Sequence, residues 1–144
     1  MAFMFEQLEV YQKAVDFADQ VAVLTETFPR GYGFLADQLN RAALSVATNL
    51  AEGNGRFTKP DRKHFFTIAR GSAQECVPIL EVGRRRSLVL EDQAVALKEQ
   101  LETITKMISG LINGLDKRSG PQSDRGGLKP NVSLDGGLPD GSLA

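Results

Sequence analysis

Hydrophobic residues recur at steps of three and four through four segments of the chain, and that period predicts four helices. The first is expected over about Phe5–Thr27, where Leu8, Tyr11, Val15, Ala18, Ala22 and Thr25 trace one line. Val10, Ala14, Phe17, Val21 and Leu24 flank that line. Pro29 disfavours helical geometry at Phe28 and ends the segment. A short turn, Pro29-Arg-Gly-Tyr-Gly33, leads to a second helix over about Leu35–Glu52.

The second helix carries three distinct rows. Asp37, Arg41, Ser45, Thr48 and Glu52 form a polar edge, Leu39, Ala42, Val46 and Leu50 an apolar row, and Ala36, Ala43, Ala47 and Ala51 a row of small residues. A lone surface helix needs only one apolar stripe, so two sides of this helix are expected to be packed. A second packed side in a small domain points to a further neighbour, which assembly of several chains would supply. Gly53 is placed to end the helix in the left-handed conformation, and Gly55 to loosen the turn after it.

A third helix begins after Thr58, with Thr58 as cap, Pro60 in the first turn and Asp61 at the capping-box position. Asp61 also complements the positive end of the helix dipole. Its buried side is read as Phe65, Ile68, Ala69, Ser72, Cys76, Ile79, Leu80 and Gly83. Pro78 removes a backbone donor and crowds the carbonyl one turn back, so a kink is expected between Gln74 and Pro78. Arg84, Arg85 and Arg86 fall at the negative end of the dipole. The fourth helix is expected over about Glu91–Leu115, with a seam of Ala94, Leu97, Leu101, Ile104, Ile108, Leu111 and Leu115.

Periodicity stops there. Residues 119–144 hold six Gly, three Pro and four Ser in 26 positions, a composition that cannot bury enough apolar surface to offset ordering. The expected organisation is a four-helix bundle over residues 1–118 and a disordered tail over 119–144. No alternating strand pattern occurs, and short links between helices predict an all-α, antiparallel, up-down-up-down bundle.

Composition narrows the chemistry. The 144-residue chain has a net charge of −1, one cysteine and one histidine. A strongly basic nucleic-acid binder is excluded on bulk charge, so any basic surface must be local. Cys76 alone precludes an intramolecular disulfide or a cysteine-based zinc finger, and its place on an apolar seam marks it as a buried, inert thiol. The N-terminus lacks a basic region followed by an apolar run, and no stretch approaches the length of a membrane span, so a cytoplasmic protein is expected.

A di-metal bundle site needs several inward carboxylates and Glu-x-x-His pairs, and Asp61-x-x-His64 is the nearest approach. A single histidine also argues against serine or cysteine nucleophiles, which need a positioned base. Gly53-Asn-Gly55 lacks the Lys-Ser/Thr and preceding strand of a phosphate loop. No catalytic residue, metal or cofactor is therefore expected, and the chain reads as a non-enzyme.

Arg56, Lys59, Arg62, Lys63 and Arg70 lie close together, with Asp61 the one acid among them. Lys59, Lys63 and Arg70 are spaced to share a face. Two readings fit: a phosphate-binding patch acting through counterion release, or a solvated helix face. Phe57, Phe65 and Phe66 are interleaved at core-like spacing, which does not indicate base stacking.

Several short motifs occur in order: Leu8-x-Val-Tyr-x-x-Ala14, Phe28-Pro29, Gln38-Leu-x-Arg-Ala-Ala-x-Ser45, Asn49-Leu-Ala-Glu-Gly-x-Gly-Arg56 and Phe65-Phe-x-x-Ala-Arg-Gly-Ser72-x-x-Glu75. Together they resemble the 23S rRNA-intervening-sequence family of four-helix-bundle proteins over roughly residues 3–116. That family is similar to the accessory variability proteins of diversity-generating retroelements, which are basic partners of a reverse transcriptase and RNA. The resemblance implies a homo-oligomer, a ring-shaped pentamer, and association with RNA or a ribonucleoprotein. The nucleic-acid candidates are then Arg41, Arg56, Lys59, Arg62, Lys63 and Arg70. Asn49, Glu52, Gly53, Gly71 and Glu75 are the candidates for holding the bundle or the oligomer together. The alternative is a protein-interaction scaffold that does not touch nucleic acid.

Overall fold

The computed structural model describes residues 3–117. A short 3-10 turn, Met4–Gln7, precedes four helices: α1 Glu9–Thr25, α2 Gly33–Asn54, α3 Lys59–Arg85 and α4 Glu91–Lys117. Among the described residues there is no strand. The helices run up-down-up-down, as the short links require. The expected tail, 119–144, lies outside the described residues. Compactness separates Met1–Ile112 from Asn113–Ala144, and the packing described here is that of the first unit.

The first helix starts later than its hydrophobic period suggests. Leu8 is extended (φ −70°, ψ 126°), and the Phe3 amide donates to Glu6 Oε1 at 2.7 Å, closing the 3-10 turn before α1 begins. Phe5 stacks on Phe3 and meets Tyr11 edge-on, which anchors that turn to α1. The core line of α1 is Val10, Ala14, Phe17, Val21 and Leu24, the row that flanks the predicted one, while Val15 and Ala22 face outward.

Helix α2 packs between α1 and α3. Leu39, Ala42, Val46 and Leu50 are buried, and so are Ala43 and Ala47 of the small-residue row. Neighbours within the chain therefore occupy both sides, and the alanine row carries no requirement for assembly. Half-buried polar pairs fix the flanks: Asn40 Nδ2 donates to Thr25 Oγ1 at 2.8 Å across α1–α2. Ser45 and Ser72 share a hydroxyl–hydroxyl bond of 2.8 Å across α2–α3.

Gly53 is not the left-handed terminator. Helix α2 continues through it to Asn54, and the C-cap Gly55 has φ −87°. Gly31 is the one described glycine with positive φ. Gly53 is instead buried, and a Cβ there would lie 2.8 Å from Phe66 Cε1, 2.9 Å from Phe66 Cδ1 and 3.1 Å from Phe65 Cβ. It is needed for close approach, not for turning.

Helix α3 opens as the capping signal implies: Thr58 Oγ1 accepts from the Asp61 amide at 3.2 Å. It continues through Pro78 as one helix, with Pro78 and Gln74 both exposed. The Gln74 carbonyl, deprived of its donor one turn on, therefore lies near water. The buried row is Phe66, Ala69, Ser72, Ala73, Cys76, Leu80 and Gly83, whereas Ile68 is exposed and Phe65 half-buried. Helix α4 presents Ala94, Leu97, Leu101, Ile104, Ile108 and Ile112 inward. A reciprocal Gln20–Gln100 amide pair ties it to α1, and Arg70 Nη1 donates to Ser109 Oγ at 3.1 Å from α3.

Candidate functional site

The α2–α3 connection, Gly55–Thr58, turns a sharp corner in four residues. Gly53 lets the end of α2 close onto Phe66, and the Thr58 cap fixes the start of α3. Arg56 and Phe57 lie between these anchors, and Lys59, Arg62 and Lys63 follow at the start of α3. From Glu52 to Lys63 four cations face two carboxylates, Glu52 and Asp61, so the corner is positive although the chain is not.

The cations differ in how they are held. Arg56 pairs with Glu52 one turn back, and its guanidinium lies 4.6 Å from the Phe65 ring centroid. The i,i+4 pair and the cation–π contact lock its direction more than they stabilise the fold, because the pair is half-exposed. Arg62 is half-buried. Its Nη2 reaches Asn54 Oδ1 at 3.5 Å, and its buried Nε has no hydrogen-bond partner among the described residues. Lys59 is half-buried and Lys63 exposed.

Phe57 stands apart from the other aromatics, with 101% relative exposure against 1% for Phe66. It does not share the core spacing expected for it alongside Phe65 and Phe66. It lies between the end of one helix and the cap of the next, where no helical face exists for it to join. An open recess lies beside it, lined also by Ala51, Glu52, Gly55, Arg56, Thr58 and Asp61.

Arg41 and Arg70 are elsewhere. Arg41 lies about three turns back along α2 from Glu52 and donates from Nη2 to Gln38 Oε1 at 2.7 Å. Arg70 lies about three turns into α3, bound to Ser109. Of the structural candidates, Asn49 donates from Nδ2 to both the carbonyl and the hydroxyl of Ser45 at 2.9 Å. That joins it to the Ser45–Ser72 bond. Glu52 holds Arg56, and Gly53 makes the close approach. Gly71 and Glu75 are exposed on α3, with nothing within 4 Å of a Cβ built at Gly71.

At the opposite end Glu81 accepts from Arg84 and Arg85, which hold its carboxyl at about 2, well below the ordinary range. Arg84 also reaches Glu91, and Arg86 bonds Tyr32 Oη at 3.1 Å. These links splice the helix ends and leave no reactive group.

The same holds for the nucleophiles. Burial pushes the Cys76 thiol up to about 12, with nearby Glu75 adding to the shift, and the thiol donates to the Ser72 carbonyl. His64 is exposed against the edge of Phe65. No group of three or more His, Cys, Asp or Glu among the described residues is arranged to hold a metal. No helix among them is long and apolar enough to cross a membrane.

Comparisons with known proteins agree with this architecture. The chain is similar to a crystal structure of a protein of unknown function from the S23 ribosomal protein family of Bacteroides thetaiotaomicron. The two share 21% identity and a TM-score of 0.67, over 72% of this chain and 97% of that one, a likeness of fold. No curated protein matches the chain. The family model for 23S rRNA-intervening sequence protein matches residues 6–110, most of the helical region just described. The chain therefore belongs to the 23S rRNA-intervening sequence protein family.

Proposed function

We propose that this protein is a non-enzymatic, oligomeric four-helix bundle that binds RNA or a ribonucleoprotein through the basic α2–α3 corner. The observation that carries the reading is the placement of Arg56 on the capped α2–α3 connection and of Lys59, Arg62 and Lys63 at the start of α3 directly after it. No carboxylate pairs with Lys59 or Arg62 among the described residues, so their charge is available to a polyanion. Phosphate neutralisation by such side chains releases counterions and provides affinity without sequence specificity. Arg41 and Arg70 would extend the contact only for a ligand that follows the α2 and α3 surfaces for about three turns.

Oligomerisation is supported by the outer side of α2. Phe34 and Leu44 are 63% and 57% exposed and lie at helical spacing on either side of Arg41. Burying these two side chains against a second chain would remove exposed apolar surface from water. A ring of five such chains would repeat the basic corner five times and strengthen a weak contact by multivalency. Light scattering tests the assembly, and a monomer at micromolar concentration refutes it.

Filter binding to a structured RNA over a range of salt concentrations tests the ligand. The logarithm of the binding constant should fall linearly with the logarithm of salt concentration, and Lys59→Glu, Arg62→Glu and Lys63→Glu together should abolish binding. No binding at low salt, or binding untouched by the triple substitution, refutes the reading. A nuclease-resistant protein partner would favour the scaffold alternative, for which the exposed Phe34–Leu44 face is the supporting feature.

A further inference from the structure

We infer that the α2–α3 corner takes an unpaired nucleotide, with one base stacked on Phe57 and the neighbouring phosphates on Lys59, Arg62 and Lys63. This rests on the RNA reading above and specifies what kind of RNA the site accepts.

Three features of the corner lead to it. The Phe57 ring is wholly exposed on a turn whose two ends are pinned by the Gly53–Phe66 approach and the Thr58 cap. A large apolar ring held in water on a rigid support gains from any flat partner, and every base presents a flat face. Phe65 cannot fill this role, because the Arg56 guanidinium covers it.

Charge divides the corner into two parts. The recess beside Phe57 is lined by Glu52 and Asp61 together with Arg56, which pairs with Glu52, so its lining carries one net negative charge and suits a neutral base better than a phosphate. Lys59, Arg62 and Lys63 follow Phe57 on the first turn of α3. A strand entering with its base in the recess would lay its backbone along that turn. A duplex cannot do this without unstacking a base, which costs energy that an already unpaired strand does not lose.

Arg62 adds a specific point. Its guanidinium has an unpartnered Nε and only a long contact from Nη2, so a small shift toward a phosphate would gain donors that the fold leaves unused.

The test compares a labelled RNA single strand of about twelve nucleotides with the duplex of the same sequence by fluorescence anisotropy. The wild-type protein should bind the single strand more tightly. Phe57→Ala should weaken single-strand binding by about 5- to 100-fold, leave duplex binding nearly unchanged and keep the same salt slope. The chain has no tryptophan, so Phe57→Trp introduces a unique fluorophore. It should retain affinity and be quenched by the single strand but not by the duplex.

Equal binding of both RNA forms, or a Phe57→Ala protein that loses both equally or neither, overturns this inference and leaves the RNA reading intact. A Phe57→Ala protein of altered oligomeric mass assigns the ring to a subunit contact and also overturns it. Absence of binding to either form removes the RNA reading and this inference together.

Discussion

Substituting alanine at two glycines separates close helix approach from helix propensity. Gly53 and Gly71 both lie inside helices, so each Gly→Ala change should gain about 0.5–1 kcal/mol from reduced freedom of the unfolded chain. At Gly71 nothing lies within 4 Å of the added Cβ, and that gain should appear undiminished. At Gly53 the Cβ would sit 2.8 Å from Phe66 Cε1 and 3.1 Å from Phe65 Cβ. Phe66 is 1% exposed and has nowhere to rotate, so the helices must move apart. Overpacking of this kind costs about 1–3 kcal/mol, leaving Gly53→Ala destabilised by about 0–2.5 kcal/mol. In urea unfolding the midpoint should fall for Gly53→Ala and rise for Gly71→Ala at unchanged slope. Thermal midpoints should move by about 4 °C per kcal/mol. Phe66→Leu should cost less in the Gly53→Ala background than in wild type, because it removes the clashing ring edge. A Gly53→Ala protein stabilised as much as Gly71→Ala refutes the close-approach reasoning. A destabilised Gly71→Ala protein shows that this face of α3 is covered in solution.

Other outcomes follow from specific contacts. Ser87 has φ 61° in the turn after α3, so Ser87→Gly should raise stability by about 0.5–1 kcal/mol in thermal unfolding. Ser45 joins Ser72 and Asn49, so Ser45→Ala should cost about 1–3 kcal/mol and Ser72→Ala about 1 kcal/mol, the double mutant falling short of their sum. Glu81 is held at about 2, below its ordinary value of 4.5. Its contribution is therefore full above about 4.5 and is lost as pH falls toward about 2. Chemical denaturation across that window should show a shallower pH dependence for Glu81→Gln than for wild type.

The helices were legible because their signals are local. The Pro29 stop and the Thr58 cap each act within a few residues and appear as expected, and the α4 seam does so except that Ile112 is buried in place of the half-buried Leu111. Interhelical detail was less accessible. Two adjacent apolar rows lie on α1, and it is the placement of the neighbouring helices, absent from the local pattern, that buries Val10, Ala14, Phe17, Val21 and Leu24. On α3 the same ambiguity placed Ile68 inward, although it is exposed. Gly53 in a Gly-Asn-Gly run resembles a helix stop, and its purpose is visible only once Phe66, 13 positions on, lies against it. In the candidate site the run of cations was plain, and so was the Glu52–Arg56 pair at i,i+4. The separation of Arg41 and Arg70 from the corner, and the bonds to Asn54 and Ser109, depend on partners distant in sequence. Phe57 left a local trace that was missed: it stands between a helix end and a cap, where an apolar residue has no period to follow.

The Gly53–Phe66 contact also bears on how the chain folds. It lies next to a four-residue connection, so closing it traps a short loop and costs little entropy. Contacts that bring α1 to α4, such as Gln20 with Gln100, must wait for a far longer stretch of chain to be gathered. The α2–α3 hairpin, and the basic corner with it, can therefore close before the contacts between α1 and α4 form.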